Sequence, residues 1–137
     1  MQKVALIVAG GKGTRMKTDL PKQFLLLNDT PILMHTLKQF SHFEEIVLVL
    51  PHSQFDYWRE LCSTYHFTLK HTLVAGGATR FYSVKNGLEQ IDVNSVVAIH
   101  DGVRPLISTK LIDSLITETK NGVGIIPIVP LKDSIRK

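Results

Sequence analysis

The sequence of 137 residues predicts an α/β fold, a mostly parallel sheet covered by helices on both faces, in one domain spanning residues 1–137. Two observations predict it. Short apolar runs end in glycine, proline or a polar turn, and stretches with a helical period separate them. Strands that alternate with helices in this way must cross over, and crossovers build parallel sheets.

The strand candidates come in order. Val4-Ala-Leu-Ile-Val-Ala9 is a continuous apolar run that ends in glycines, the pattern of a strand buried on both faces. Ile46 to Leu50 is a second, stopped by Pro51. Leu69 to Ala75, Val96 to His100 and Val123 to Val129 are the third, fourth and fifth. Between them, Ile32, Leu33, Thr36, Leu37 and Phe40 share one helix face, and Phe81, Val84, Leu88 and Ile91 another. Residues 52–66 form a helix with Phe55, Trp58, Leu61, Cys62 and Tyr65 inward. Leu111, Ile112, Leu115, Ile116 and Thr119 line the last, with Ser108 or Thr109 as its N-cap. Pro130 to Lys137 follows the fifth strand without a covering helix, so the layered architecture is expected to be truncated at its C-terminus.

Composition excludes several classes. A single cysteine, Cys62, allows no internal disulfide and no clustered-cysteine zinc site. No apolar stretch reaches the roughly 20 residues of a membrane span. The N-terminus lacks a secretory pattern, which makes a cytoplasmic location the expectation. The net charge is +4, and all of the excess lies in residues 1–38, where six basic residues face two acidic ones. Such a local positive field suits an anionic partner. Without interleaved aromatics or a helix-turn-helix, small phosphates are expected rather than nucleic acid.

In parallel α/β sheets ligands gather at the carboxyl ends of the strands. The loop there after the first strand is Ala9-Gly10-Gly11-Lys12-Gly13-Thr14-Arg15-Met16, followed by Pro21-Lys22-Gln23-Phe24. Three glycines in four residues let backbone N–H groups approach an anion, and Lys12, Arg15 and Lys22 add charge at the mouth. A Walker A loop would need Ser or Thr after Gly-Lys, where Gly13 stands. A dinucleotide fingerprint would need glycine at Met16 and an acidic residue where Leu50-Pro51 sits.

Gly10-Gly11-x-Gly13-Thr14-Arg15-Met16 with Pro21-Lys22 resembles the signature of nucleotidyltransferases that join a nucleoside triphosphate to a phosphorylated small molecule. Three further segments resemble the isoprenoid-pathway cytidylyltransferase family in particular: Pro21-Lys22-Gln23-Phe24, Gly76-Gly77-Ala78-Thr79-Arg80-Phe81-Tyr82-Ser83-Val84 and His100-Asp101-Gly102-Val103-Arg104-Pro105. Pro130 to Lys137 is similar to another family segment, with Ser134 where the family has Thr. The resemblance implies a Rossmann-like, nucleotidyltransferase-type sheet and transfer of a cytidylyl group from CTP to methylerythritol phosphate, with release of pyrophosphate. It implies Arg15 and Lys22 as catalytic residues, and Ala9, Gly10, Gly11, Gly13, Thr14, Gly76, Gly77, Ser83 and Gly102 as the nucleotide site. It further implies Asp101 as a ligand of Mg²⁺, with Arg104 and Ser134 toward the acceptor. Arg104 either orients Asp101 or pairs with substrate, and Arg80 either braces the loops or touches nucleotide. His100 reads as a packed strand-end residue.

Ala78 departs from the family, which often carries an acidic residue there. Acceptor-binding and dimer-forming segments of the family lie beyond position 137. The resemblance therefore implies a homodimer for the intact enzyme and leaves dimerisation and turnover by these 137 residues unsupported. Ribitol phosphate is the alternative acceptor, and a non-catalytic nucleotide-binding module the alternative class.

Overall fold

The computed structural model describes residues 1–10 and 20–131. Four parallel strands form the main sheet in the order β5-β4-β1-β6: β1 Gln2–Val8, β4 Glu45–Leu50, β5 Thr72–Ala75 and β6 Ser95–Asp101. Between β1 and β4 lie a 3₁₀ turn at Lys22–Phe24, a two-residue hairpin of β2 (Leu26–Leu27) and β3 (Thr30–Pro31), and α1 (Ile32–Lys38). The hairpin turns on Asn28 and Asp29, both left-handed at φ 50° and 62°. Asn and Asp tolerate that conformation better than other side-chain-bearing residues. The remaining helices are α2 Phe55–Thr64, α3 Arg80–Leu88 and α4 Thr109–Glu118.

The two faces of β1 divide the core. Ala5 and Ile7 point to one side with Ala9 beyond them, against Leu33, Met34 and Leu37 of α1, Trp58 of α2 and Ile112 of α4. Val4, Leu6 and Val8 point to the other, with Val47 and Val49 of β4, under α3. Helices cover both faces as the periodicity predicts, but unequally. Ser108 caps α4 by accepting the Leu111 N–H at 3.1 Å, one of the two caps expected.

Two expectations need correction. Residues 123–129 form no strand, and Ile126, Ile128 and Val129 are more than four-fifths exposed. Strand preference in Val and Ile reflects packing on a pleated, half-buried surface. Among the described residues β6 is paired through β1 alone, and residues 123–129 do not pair with its open edge, so the run lacks the packed surface that would make it a strand. In α3, Phe81 and Leu88 face outward, although they share the predicted apolar stripe. The helix lies on the sheet through Ser83 and Gly87, four residues apart and both buried. A Cβ at position 87 would come 2.4 Å from Leu6 Cδ1 and 3.0 Å from Val49 Cγ2. The small residues set the contact because they let the helix backbone come close.

Candidate functional site

Because all four strands run parallel, their carboxyl ends share one edge, and the register fixes the order of the loops along it. Val8 pairs with Val49 on one side and with Asp101 on the other, and Leu50 pairs with Ala75. The chain continues this ladder just past the strands: Ala9 N–H donates to Val49 O at 3.0 Å, Gly76 N–H to Leu50 O at 2.8 Å, and Gly102 N–H to Val8 O at 2.9 Å. The glycine loop, the Gly76-Gly77 turn and the Asp101-Gly102 turn thus leave the same edge. Gly11, Gly13, Thr14 and Arg15 lie outside the described residues, as do Lys12 and Ser134.

Lys22 stands exposed at the start of its 3₁₀ turn, which Phe24 N–H closes onto Pro21 O at 3.0 Å. The next two residues are buried. Phe24 packs edge-on against Tyr57 at 5.1 Å and stacks on Trp58 at 6.2 Å between ring centres. Gln23 donates from Nε2 to Ala9 O at 3.3 Å and to Gln54 Oε1 at 2.7 Å. Neither glutamine carries a sequence signal of its own; Gln23 was visible only as a letter of a longer motif.

At the Gly76-Gly77 turn, Ser83 is buried and its Oγ accepts the Gly77 N–H at 3.1 Å. Its hydroxyl braces the turn from below. Asn86 Nδ2 donates to Ala75 O at 3.1 Å, a second tie from α3 to the end of β5. Thr79 caps α3 by accepting the Tyr82 N–H. A Cβ at Gly77 would lie 2.4 Å from Tyr82 Cβ, so the turn fits over α3 only with glycine there.

Asp101 pairs with both arginines, the orienting alternative for Arg104 and the bracing alternative for Arg80. Arg80 Nη1 reaches its Oδ1 at 2.7 Å, and Arg104 Nε its Oδ2 at 3.0 Å. Both guanidinium groups are more than half exposed, so the pairs add little stability. They fix orientation instead: one carboxylate holds two cations, one from the start of α3 and one from the turn after β6. Each carboxylate oxygen has two lone pairs and accepts one arginine N–H, which leaves Asp101 acceptor capacity toward a cation. Among the described residues no group of three or more His, Cys, Asp and Glu side chains could hold a metal. A Mg²⁺ ion bound together with substrate phosphates asks for only one or two protein carboxylates, so a single carboxylate at this edge fits that mode of binding.

Gly102 is buried, and its bare Cα serves the fold. A Cβ there would lie 2.7 Å from Ala9 Cβ and 2.9 Å from Leu33 Cδ1, while its carbonyl accepts from Thr36 Oγ1 at 2.7 Å. Glycine is thus required at this position by packing of the β6 turn onto β1 and α1, whatever its backbone meets on the ligand side. His100 donates from Nε2 to Arg104 O at 2.9 Å and lies on Phe40, a packed position.

A parallel α/β sheet with a glycine loop, a clamped lysine turn and an arginine-carboxylate cluster on one edge defines a nucleotidyltransferase-like protein. The family profile of 2-C-methyl-D-erythritol 4-phosphate cytidylyltransferase matches residues 3–137, and the chain belongs to that family. Proteins of that name from Porphyromonas gingivalis and Azobacteroides pseudotrichonymphae are 51% and 49% identical to it over 98% and 99% of the chain. The chain covers 61% and 63% of those relatives, so it spans about three-fifths of their length. Among solved structures, 4-diphosphocytidyl-2C-methyl-D-erythritol synthase from Anaerococcus prevotii aligns over 85% of this chain and 50% of its own. Its TM-score is 0.68 at 28% identity. The Thermus thermophilus 2-C-methyl-D-erythritol 4-phosphate cytidylyltransferase aligns over 84% of this chain and 48% of its own, with TM-score 0.64 and 29% identity.

Proposed function

We propose that this chain forms the nucleotide-binding part of an enzyme that transfers a cytidylyl group from CTP to 2-C-methyl-D-erythritol 4-phosphate. The observation that carries this reading is the convergence on one sheet edge of the Lys22 turn, the Gly76-Gly77 turn and the Arg80–Asp101–Arg104 cluster. A phosphate oxygen of the acceptor attacks the α-phosphorus of CTP; the new O–P bond forms as the bond to the β-phosphate oxygen breaks, and pyrophosphate leaves. The nucleophile is already ionised, so the chemistry asks for fixed cations rather than a base. Lys22 and Arg15 supply them toward the α-phosphate. The backbone at Ala9, Gly10, Gly11, Gly13 and Thr14 cradles the triphosphate, and Gly76, Gly77 and Ser83 frame the cytosine.

Arg104 and Ser134 belong to the acceptor side, with Arg104 held by Asp101. Mg²⁺ enters this reading with the phosphates of the nucleotide, and no step is assigned to it. The full-length enzyme is read as a cytoplasmic homodimer, which light scattering on that protein checks.

The test is calorimetric titration of the full-length protein with CTP, UTP, ATP and NAD in Mg²⁺, followed by turnover with methylerythritol phosphate and with ribitol phosphate. CTP-selective binding and turnover of methylerythritol phosphate are expected. Turnover of ribitol phosphate alone overturns the acceptor, and failure to bind CTP overturns the reading as a whole. Lys22→Ala is expected to lower turnover by roughly 10² to 10⁴. A non-catalytic module would be indifferent to that substitution.

A further inference from the structure

Gln23 is wholly buried, directly after the exposed Lys22. Its Nε2 reaches two acceptors, Ala9 O at the end of β1 and Gln54 Oε1 in the turn after β4. Its own Oε1 is also buried and has no hydrogen-bond partner among the described residues. An unpaired buried carbonyl is a net expense to the fold, and an apolar side chain of the same shape can match or exceed such a residue in stability. Stability alone therefore does not explain an amide here.

What the amide achieves is geometric. It ties three pieces of backbone together: the end of β1, where Gly10 begins the glycine loop; the turn after Pro51; and the Lys22 turn. Phe24 plugs the same turn into the core against Tyr57 and Trp58. Pro21 fixes the entry at φ −54°, and Leu25 N–H donates back to Lys22 O at 3.2 Å. The backbone of Lys22 is thus anchored before, behind and after, which leaves the side chain as its adjustable part.

We infer that Gln23 is a positioning residue, whose buried amide holds the Lys22 turn at the carboxyl end of β1 so that the ammonium group meets the transferring phosphate at the correct distance. This rests on the reading of Lys22 as the cation that stabilises the transition state. Misplacement of such a group by about 1 Å lowers the rate by roughly 10²-fold. The contact is long-range, since Gln23 and Gln54 are 31 positions apart.

The experiment uses the full-length protein and three variants. Gln23→Met keeps the shape of the side chain and removes the donor. It is expected to lower kcat roughly 10- to 100-fold with KM for CTP within about threefold. Lys22→Ala gives the reference loss, and Lys22→Ala/Gln23→Met is expected to turn over no more slowly than Lys22→Ala alone. That non-additivity is the signature of a residue acting through another. A merely structural glutamine would lower both backgrounds equally, and that result overturns the inference, as does a kcat for Gln23→Met within about twofold of wild type. If Lys22→Ala itself leaves turnover intact, the functional reading fails first and the two failures are told apart. Should Gln23→Met not fold, Gln54→Leu decides: it leaves Gln23 tied to Ala9 alone. A kcat loss of about 3- to 10-fold at unchanged KM supports the inference, and no loss refutes it.

Discussion

Replacing Gly102 with alanine separates two roles that the sequence alone leaves joined. A glycine in an Asp-Gly turn at a strand end reads as room for a ligand, whereas in the structure the space beside its Cα is filled. The new methyl would sit 2.7 Å from Ala9 Cβ and 2.9 Å from Leu33 Cδ1, against an ideal carbon–carbon separation of about 3.5–4.0 Å. Ala9 Cβ is fixed to its backbone and Leu33 is fully buried, so relief requires the end of β1 or the β6 turn to move. Overpacking of this kind costs about 1–3 kcal/mol. Gly102 is not in the left-handed region, so alanine adopts its backbone and recovers about 0.4–1 kcal/mol through the unfolded state. The net loss is about 1–2 kcal/mol. With a urea m value of roughly 1–3 kcal/mol/M, the unfolding midpoint falls by about 1 M. Urea titration followed by circular dichroism, with CTP calorimetry alongside it, reads both roles. An unmoved midpoint together with a CTP affinity lowered more than about tenfold would refute the packing argument and return Gly102 to the ligand.

Three further outcomes follow from single contacts. Ser83→Ala leaves the Gly77 N–H without its acceptor and is expected to cost about 1 kcal/mol in urea unfolding while weakening CTP binding by calorimetry. His71→Leu removes the acceptor of the fully buried Trp58 Nε1–H, which donates to His71 Nε2 at 2.9 Å while His71 Nδ1 donates to Leu69 O. The expected loss is about 1–3 kcal/mol, and the emission of this lone tryptophan reports it. Burial pushes the Cys62 thiol up to about 11, so its reaction with a disulfide reagent at pH 8 is expected to run roughly 100-fold slower in the folded than in the unfolded protein. Because the neutral thiol is favoured by folding, its contribution to stability is complete below about pH 8.5 and falls as pH rises through about 11. Urea midpoints across that range, compared with Cys62→Ala, check the slope.

Local signals were read well where a local cause suffices. The uninterrupted apolar run of β1, the stop at Pro51, the inward stripe of α2 and the Ser108 cap all appear where the residues place them. The hairpin at Leu26–Pro31 carried a signal too, Asn28-Asp29 between short extended pairs, but two-residue strands lie below what alternation can detect. Of the apolar stripe on and after α3, Val84 and Ile91 pack toward the sheet as the period predicts, whereas Phe81 and Leu88 face outward because the closest contact is made by the smaller Ser83 and Gly87. Hydrophobicity marks which residues could be buried; close approach of two backbones selects those that fit.

The order of apolar runs and helical stripes was enough to determine a parallel α/β chain and to point to the strand ends as the place for chemistry. Partners were decided only in three dimensions. Asp101 holds Arg80 and Arg104, Gly102 packs on Ala9 and Leu33, and Gln23 bridges Ala9 and Gln54 because parallel register brings loops distant in sequence onto one edge. A carboxylate, a glycine or an amide has several uses, and the sequence states only its type. Which use prevails depends on the neighbour within about 3 Å, and that neighbour is set by the sheet.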